Sequence, residues 1–178
     1  SYNHLSKAQG AASLAKQLLS SNVVSSDIDN ASSLERYFFD QLSMYPHLSS
    51  IYVGGLNGNF FMVGRHAKYE PDGFRTKIIR HTKDGKTVDL TWRNATYNKV
   101  ASEKVPDDKY DPRTRPWFKR VMEHKHIAWT DPYVFYTAQK PGVTIAGPAF
   151  DESGNLKGIV GVDIEISELS TFISKLRV

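Results

Sequence analysis

Two turn-forming dipeptides constrain the fold more than any other feature of this sequence. Asn57-Gly58 divides SSIYVGGLNGNFFMVGR, and Asp84-Gly85 divides FRTKIIRHTKDGKTVDLTWRN, into pairs of short β-rich segments. Asn-Gly and Asp-Gly readily adopt the positive φ angles that two-residue hairpin turns require. Strands that follow one another through such tight turns pair antiparallel, so the sequence predicts an antiparallel sheet.

Apolar residues at helical spacing frame these hairpins on both sides. A small-residue stripe over residues 4–20 predicts a long N-terminal helix, and a second helix is predicted from Leu34 to a stop at Pro46. Pro116 suits the first turn of a short third helix. A closing helix is predicted after Ser167, which is a favourable capping residue.

Three further strands are predicted over residues 133–137, 142–150 and 156–164. Residues 94–112 show no clear period, so we expect a long polar connection there. The order of elements predicts an α+β fold in which helices pack on one side of an antiparallel sheet. We divide the chain into an N-terminal helical region, residues 1–45, and a sheet module that ends in a helix, residues 46–178.

Composition and charge exclude several classes of function. The chain has no cysteine, which removes thiol catalysis, disulfides and zinc–thiolate sites. No run approaches the roughly 18 apolar residues of a transmembrane helix. The formal charge of +4 is mild, and the densest cations lie on a predicted hairpin whose alternate positions face water. We therefore expect no nucleic-acid contact.

The sequence carries no enzyme signature. Its six histidines form no H-x-x-x-H or H-E-x-x-H pattern, so no metal site is predicted. A Gly-rich phosphate loop and a G-x-S-x-G nucleophile motif are also absent. We therefore expect no catalytic residue, no metal and no cofactor in this domain.

The segment YDPRTRPWFKR, residues 110–120, combines four cations with three aromatic side chains. Arg115 offers a planar fork of donors that suits a carboxylate, and Trp117 beside it supplies an apolar wall. Downstream, Asp163 is an acid near the end of the apolar strand GIVGVDI, and Tyr133 begins a predicted strand. One cation, one anion and one hydroxyl could together hold a zwitterion or a small organic acid.

Each of these residues also has an ordinary structural interpretation. Arg115 could form a salt bridge with Asp111 or Asp163. Trp117 could pack in the core, as aromatic residues at helical spacing most often do. Asp163 could cap the region of the following helix or face solvent. The residues alone leave both interpretations open.

Three stretches resemble the Cache family of extracytoplasmic sensor domains, also called PAS-like or PDC sensors. They are YDPRTRPWFKRV, WTDPYV and VTIAGPAFDESGNLKGIVGVDI, followed by a closing helix. The resemblance implies a PAS-like sheet flanked by helices and the membrane-distal module of a double-Cache receptor. It also implies a periplasmic or extracellular position, a homodimer formed through the N-terminal helix, and transmembrane helices outside this chain. The full-length protein would be a histidine kinase, a chemoreceptor, or a nucleotide-cyclase or cyclic-di-nucleotide enzyme.

The resemblance also implies roles for individual residues. In amino-acid-binding members of the family, the arginine and tryptophan of the motif hold the ligand carboxylate, and those roles fall on Arg115 and Trp117. The strand tyrosine and the late aspartate hold the ligand ammonium group, and those roles fall on Tyr133 and Asp163.

Two residues depart from the pattern of those members. Phe118 replaces the tyrosine expected after the tryptophan, and Phe135 stands where a polar or acidic residue often follows the strand tyrosine. A hydrogen bond to a charged group contributes about 1.5–3 kcal/mol, so two losses would weaken an ordinary amino-acid ligand. A carboxylate, a more apolar ligand and a site without a ligand all stay open.

The leading hypothesis is a non-enzymatic domain that binds a small molecule, such as an amino acid or a carboxylate, and passes the signal to the closing helix. Residues 110–118 and the strands at 133–137 and 156–164 would form the site. One alternative is a ligand-free dimerisation or interaction module that acts through the N-terminal helix. A cytoplasmic PAS domain with haem or flavin is a further alternative.

Overall fold

A nine-stranded antiparallel sheet forms the centre of the computed structural model, which describes residues 31–151 and 153–175. The helices are α1 (Ala31–Met44), α2 (Pro116–His124) and α3 (Ile166–Lys175), and a 3-10 turn covers Pro112–Thr114. The strands are β1 (Ser50–Gly55), β2 (Phe60–Arg65), β3 (Phe74–Thr82), β4 (Gly85–Arg93), β5 (Lys99–Lys104), β6 (Ala128–Trp129), β7 (Tyr133–Val134), β8 (Pro141–Phe150) and β9 (Leu156–Glu165). The predicted α+β class and antiparallel sheet are confirmed.

The strands follow the order β5-β4-β3-β2-β1-β9-β8-β6, and β7 also pairs with β8. Both predicted hairpins form, with Gly58 at a φ of 91° between β1 and β2 and Gly85 at a φ of 114° between β3 and β4. These are the angles that glycine adopts without steric cost. The first and last strands of the module, β1 and β9, lie side by side at the centre.

Two strands were not predicted from the sequence. Residues 94–112, expected to be a connection, contain β5, which pairs with β4 at the edge of the sheet. Five of its six residues are exposed, so the strand buries no apolar face and shows no hydrophobic alternation. The other is β6, which has two residues and is too short to leave a pattern. The strand predicted over residues 133–137 is also shorter, because the chain turns after Val134.

Helices cover both faces of the sheet, so the expectation that they pack on one side is wrong. On one face, Phe38 and Leu42 of α1 belong to a core cluster with Ile51 of β1. On the other face, Trp117 of α2 belongs to a second cluster with Tyr52 of β1. Neighbouring residues of a strand point to opposite faces, and since both of these β1 residues are large and apolar, each face needs its own cover.

The helix predicted from Leu34 corresponds to α1 and that predicted at Pro116 to α2, while α3 begins one residue before Ser167. The long helix predicted over residues 4–20 lies outside the described residues, so the division of the chain at residue 46 stays a prediction. Within the described part, no helix has the length and hydropathy needed to cross a membrane.

Candidate functional site

The strand pairing aligns five residues in one row across the sheet. Going from β3 to β8, Arg75 faces Gly64, Gly64 faces Ser50, Ser50 faces Asp163, and Asp163 faces Thr144. Directly opposed residues project from the same face of a sheet, and this row lies on the face that α2 covers. The row therefore forms a polar floor within an otherwise apolar surface.

A cavity of about 430 Å³ lies over this floor. Its other walls come from the start of α2 and from the segment that links β7 to β8. Five of the six residues singled out in the sequence line it, namely Arg115, Trp117, Tyr133, Phe135 and Asp163. Phe118 is buried in the same face of the core, with its ring centroid 5.7 Å from that of Trp117, and is not among the lining residues.

Asp163 is a buried carboxylate held by hydroxyl groups. The residue is 6% exposed. Ser50 donates a hydrogen bond to one carboxylate oxygen at 2.9 Å, and Tyr52 and Thr144 donate to the other at 2.5 and 2.6 Å. In the described part of the chain, no cation lies within ion-pair distance of it. The interpretation of Asp163 as a helix cap or solvent-facing residue is therefore wrong.

Burial raises the pKa of Asp163 to about 6, because a carboxylate loses most of its hydration in this position. The hydrogen bonds from the three hydroxyls act in the opposite direction and keep the shift from being larger. At neutral pH the group is therefore an anion that faces a cavity and has no cationic partner among the described residues. A ligand cation would complete its coordination.

Tyr133 is joined to this carboxylate through Thr144. The two hydroxyl oxygens are 2.6 Å apart. Since the Thr144 proton is donated to Asp163, the Thr144 oxygen accepts from Tyr133. Burial raises the pKa of Tyr133, so its hydroxyl stays protonated and can act as this donor. The tyrosine therefore extends the polar floor into the cavity wall.

Arg115 lies at the entry to α2, in an extended conformation that precedes Pro116. Its guanidinium donates one hydrogen bond to the carbonyl oxygen of Val134 at 3.2 Å and lies 5.7 and 5.8 Å from the ring centroids of Tyr133 and Tyr136. Among the described residues it forms no ion pair, so a salt bridge with Asp111 or Asp163 is the wrong interpretation.

The true partner of Asp111 is Arg113, at 2.9 Å. This exposed pair belongs to the 3-10 turn before α2, where Asp111 also accepts from the backbone N–H of Arg113. Asp111 is thus paired within the turn and not with Arg115. The guanidinium of Arg115 therefore keeps donors that can bind an anion in the cavity.

Trp117 is both a core residue and a cavity wall. The residue is 1% exposed, and its ring centroid lies 4.7 Å from that of Tyr52. The absence of a side chain at Gly54 makes room for it, because a Cβ there would lie 2.8 Å from Trp117 Cη2. Both interpretations that the sequence left open for Trp117, core packing and a wall of the cavity, are therefore correct.

Sequence reasoning missed several polar residues of the site. They are the carboxylate donors Ser50, Tyr52 and Thr144, and the buried cation Lys77, which lines the cavity from β3. The available signal was weak, since it consisted of polar residues within strands that are otherwise apolar. Their convergence depends on the pairing of β1 with β9, which joins residues more than a hundred positions apart. No group of three His, Asp or Glu side chains that could hold a metal occurs among residues 31–151 and 153–175.

A family model described as "Methyl-accepting chemotaxis protein-like, first PDC sensor domain" matches residues 62–171. Adenylate cyclase 1 of Rhizobium meliloti is 28% identical over 142 residues, which cover 74% of this chain and 21% of that protein. The methyl-accepting chemotaxis protein McpB of Bacillus subtilis is 37% identical over 86 residues, covering 48% of this chain and 12% of that protein. The chain thus spans about a fifth or less of these relatives.

Solved structures with a similar fold include two chemoreceptor ligand-binding domains in complex with L-valine. The domain of Pseudomonas fluorescens CtaA has a TM-score of 0.60 at 21% identity, covering 96% of this chain and 57% of that one. The domain of Campylobacter jejuni Tlp3 has a TM-score of 0.60 at 14% identity, covering 96% and 54%. At these identities the likeness establishes a common fold.

Proposed function

This chain belongs to the family of methyl-accepting chemotaxis protein-like first PDC sensor domains, and on that premise we propose that it binds a small zwitterionic ligand between its sheet and residues 115–140. The ligand is of the α-amino-acid class. Its ammonium group contacts Asp163, its carboxylate contacts Arg115, and Trp117 and Tyr133 close the site around them. The domain itself is a binding module and not an enzyme.

The main observation behind this proposal is that two opposite charges, Asp163 and Arg115, line the same cavity but form no ion pair with each other. Asp163 has hydroxyl donors but no cation, and Arg115 has a carbonyl acceptor but no carboxylate, within the described residues. A zwitterion satisfies both groups with charge-assisted hydrogen bonds, which are roughly twice as strong as neutral ones. The cavity volume of about 430 Å³ is within the range of about 300–1,000 Å³ typical of small-molecule sites.

The two phenylalanines that depart from the family pattern affect this proposal differently. Phe118 is not among the cavity-lining residues, so its ring makes no direct contact with a ligand in the cavity. Phe135 does line the cavity, with its ring centroid 5.3 Å from that of Tyr133. It supplies apolar surface, while the three hydroxyls around Asp163 supply the polar part of the site.

The relatives support an amino-acid ligand and a position outside the cytoplasm. The similar Tlp3 and CtaA domains contain L-valine, and a similar domain of Pseudomonas aeruginosa PctC contains GABA. We infer that this chain is the extracytoplasmic sensor of a transmembrane receptor, in the membrane-distal module of a double-Cache arrangement. Transmembrane helices outside this chain, and a homodimer formed through residues 1–45, complete the receptor.

The position of Asp163 suggests how binding is transmitted. This residue lies near the end of β9, and α3 begins at Ile166 without an intervening loop. A ligand that contacts Asp163 therefore acts on β9, the strand that leads directly into the closing helix. Signalling requires two conformations of the domain that differ in the position of this helix, and a ligand that binds one of them more tightly than the other.

The test is calorimetric titration of the 178-residue chain with L-amino acids, GABA, small dicarboxylates and amines. Loss of one charge-assisted contact costs about 1.5–3 kcal/mol, so Asp163→Asn and Arg115→Met should each weaken binding by about 10- to 150-fold. Arg113→Met is the matched control, because it removes a guanidinium from the same loop but outside the cavity. Absence of binding across the panel, or binding that both cavity variants leave intact, would contradict the proposal.

A further inference from the structure

The cavity extends along the sheet to a second cation, Lys77. The proposed function assigns no ligand group to it. Lys77 faces Met62 of β2, and Met62 faces Tyr52 of β1, which is the strand beside β9. Three strand spacings of about 4.8 Å separate β3 from β9, and the row through Lys77 meets β9 at Gly161, two residues from Asp163. The backbones of Lys77 and Asp163 are therefore about 16 Å apart. The long lysine side chain and a ligand together span this distance.

Lys77 is unusually buried for a lysine. Its side chain is 3% exposed, and its ammonium nitrogen donates a hydrogen bond to Asp108 at 2.7 Å. The same nitrogen lies 4.9 and 5.4 Å from the ring centroids of Tyr110 and Tyr136. Lys77 lines the cavity and Asp108 does not. The lysine therefore presents its charge to the cavity while its protein partner stays outside.

Cations outnumber carboxylates around Lys77, although Arg75, Lys86 and Asp108 do not themselves line the cavity. Lys86 donates to the backbone carbonyl oxygens of Asp108 and Tyr110, and Arg75 lies two residues before Lys77 on the same face. The pKa of Lys77 is lowered, and burial is the largest cause. The contact with Asp108 raises the pKa, and the positive charges of Arg75 and Lys86 lower it further. Three cations thus lie near Asp108, with Glu103 as a further carboxylate near Arg75, and an anion bound at Lys77 would gain a net attraction.

An ammonium group has three donors, and the ion pair with Asp108 uses one of them. The faces of Tyr110 and Tyr136 interact only weakly with the others, by cation–π attraction. An aliphatic ligand against Lys77 would leave these donors desolvated without an acceptor. A carboxylate would accept from them and would also be attracted by Arg75 and Lys86.

We propose, resting on the amino-acid function above, that Lys77 is a specificity-determining residue that binds the side-chain carboxylate of an acidic amino acid. The ammonium group of that ligand is at Asp163 and its main-chain carboxylate at Arg115. The separation of β3 from β9 favours the longer of the acidic side chains, so L-glutamate is the ligand to test. The apolar residues Phe60 and Met62 then contact the methylene groups of that side chain.

The experiment compares L-glutamate, its neutral isostere L-glutamine and L-valine by calorimetry on the 178-residue chain. The wild type should bind L-glutamate at least tenfold more tightly than L-glutamine. In the double variant Lys77→Met/Asp108→Asn, which leaves no unpaired partner, the two affinities should fall within threefold of each other. Asp108→Asn alone should keep the preference, as should Lys104→Met, which removes a lysine that is 84% exposed on β5.

Two results would overturn the role of Lys77 and leave the amino-acid function intact. One is tighter binding of L-valine or L-glutamine than of L-glutamate by the wild type, with dependence on Asp163 and Arg115. The other is a preference for L-glutamate that survives in the Lys77→Met/Asp108→Asn variant. If none of the three amino acids binds, the role of Lys77 is overturned, whereas the amino-acid function is overturned only if the whole panel of L-amino acids also fails to bind.

Discussion

The hydroxyl group of Tyr52 donates a hydrogen bond to the buried carboxylate of Asp163, with 2.5 Å between the two oxygens. This contact joins β1 to β9, which are separated by a hundred residues in sequence and are neighbours at the centre of the sheet. It places the charge of the site at the junction of the first and last strands of the module. The candidate site is therefore a product of the whole sheet and not of one motif.

We predict that ligand affinity and the stability of the ligand-free protein respond to pH in opposite directions. The pKa of Asp163 is raised to about 6 from a value of 3.8. A raised pKa means that the folded protein binds the proton more tightly than the unfolded chain, so this group favours folding at low pH. That contribution is lost as the pH rises from about 4 through about 6.

A ligand ammonium group instead needs the ionised form of Asp163. Acidification from pH 7.5 to pH 5 should therefore weaken binding by roughly tenfold, since one pH unit below the pKa leaves about a tenth of the carboxylates ionised. Calorimetric titrations and melting curves over this range measure both effects. Asp163→Asn should remove both, and a pH profile that is the same in this variant as in the wild type would count against the assignment.

We predict that Tyr52→Phe raises the pKa of Asp163 above that of the wild type. The variant removes one of three hydroxyl donors, and hydrogen bonds to the charged form of a carboxylate favour that form. The pH midpoint of ligand affinity should shift upward. Tyr133→Phe is the matched control, because its hydroxyl bonds to Thr144 and not directly to Asp163, and should shift the midpoint less. Equal shifts in the two variants would contradict the hydrogen-bond assignment.

We predict that Gly161→Ala disrupts the site by displacing Tyr52. A Cβ at this position would lie 2.3 Å from Tyr52 Cε2, and the ring is buried between strands and Trp117. Overpacking of this kind typically costs about 1–3 kcal/mol, and the hydrogen bond to Asp163 should be lost with it. Melting curves and ligand titrations measure the two effects.

Gly64→Ala provides the control for that change, since Gly64 lies on the same floor of the cavity. Its Cβ would be 3.2 Å from Met62 Cε and Ser50 Cβ, which needs a much smaller adjustment. We expect a smaller loss of stability than in Gly161→Ala. If Gly161→Ala is as stable as Gly64→Ala and binds ligand normally, the packing of Tyr52 over Gly161 is not required.

We predict that Glu35→Gln lowers stability without affecting ligand binding. Glu35 of α1 accepts from Arg93 of β4 at 2.9 Å and from the hydroxyl of Tyr97 at 2.6 Å. It is mostly buried, on the face of the sheet that α1 covers, opposite the cavity. Weakening these charge-assisted bonds should cost about 1–2 kcal/mol by denaturant unfolding.

Asp40→Asn is the control for Glu35→Gln. Asp40 pairs with Arg36 on the exposed surface of the same helix, where an ion pair contributes at most about 1 kcal/mol. Its variant should therefore unfold close to the wild type. A change in ligand affinity in Glu35→Gln at a pH where both proteins are folded would show that α1 and the cavity are coupled.

The parts of the fold that local sequence determines could be predicted. Asn57-Gly58 and Asp84-Gly85 specify their hairpins because glycine there takes a positive φ, and Pro116 specifies the start of α2. The edge strand β5 could not be predicted, because it is exposed and held by backbone pairing with β4. The covering of both faces was also missed, although the neighbours Ile51 and Tyr52 carry the signal for it.

The candidate site was predictable only where a compact motif marks it. Arg115 and Trp117 stand close together in a segment of unusual composition, and the resemblance to sensor domains singled them out. Ser50, Thr144 and Lys77 have no such neighbours in sequence. They join the site through the pairing of β1 with β9, β8 with β9 and β2 with β3, and long-range pairing leaves no local pattern to read.

The central claim is that Asp163 binds the ammonium group of the ligand, and a thermodynamic cycle tests it most directly. Calorimetry would compare the tightest-binding amino acid of the panel with its deamino analogue, for example L-glutamate with glutarate, on the wild type and on Asp163→Asn. We predict that the wild type prefers the amino acid by at least tenfold and that Asp163→Asn binds the two ligands with nearly equal affinities. The deamino analogue lacks the ammonium group and the variant lacks the carboxylate, so each change removes the same ion pair. An equal preference for the amino acid in both proteins would contradict the claim.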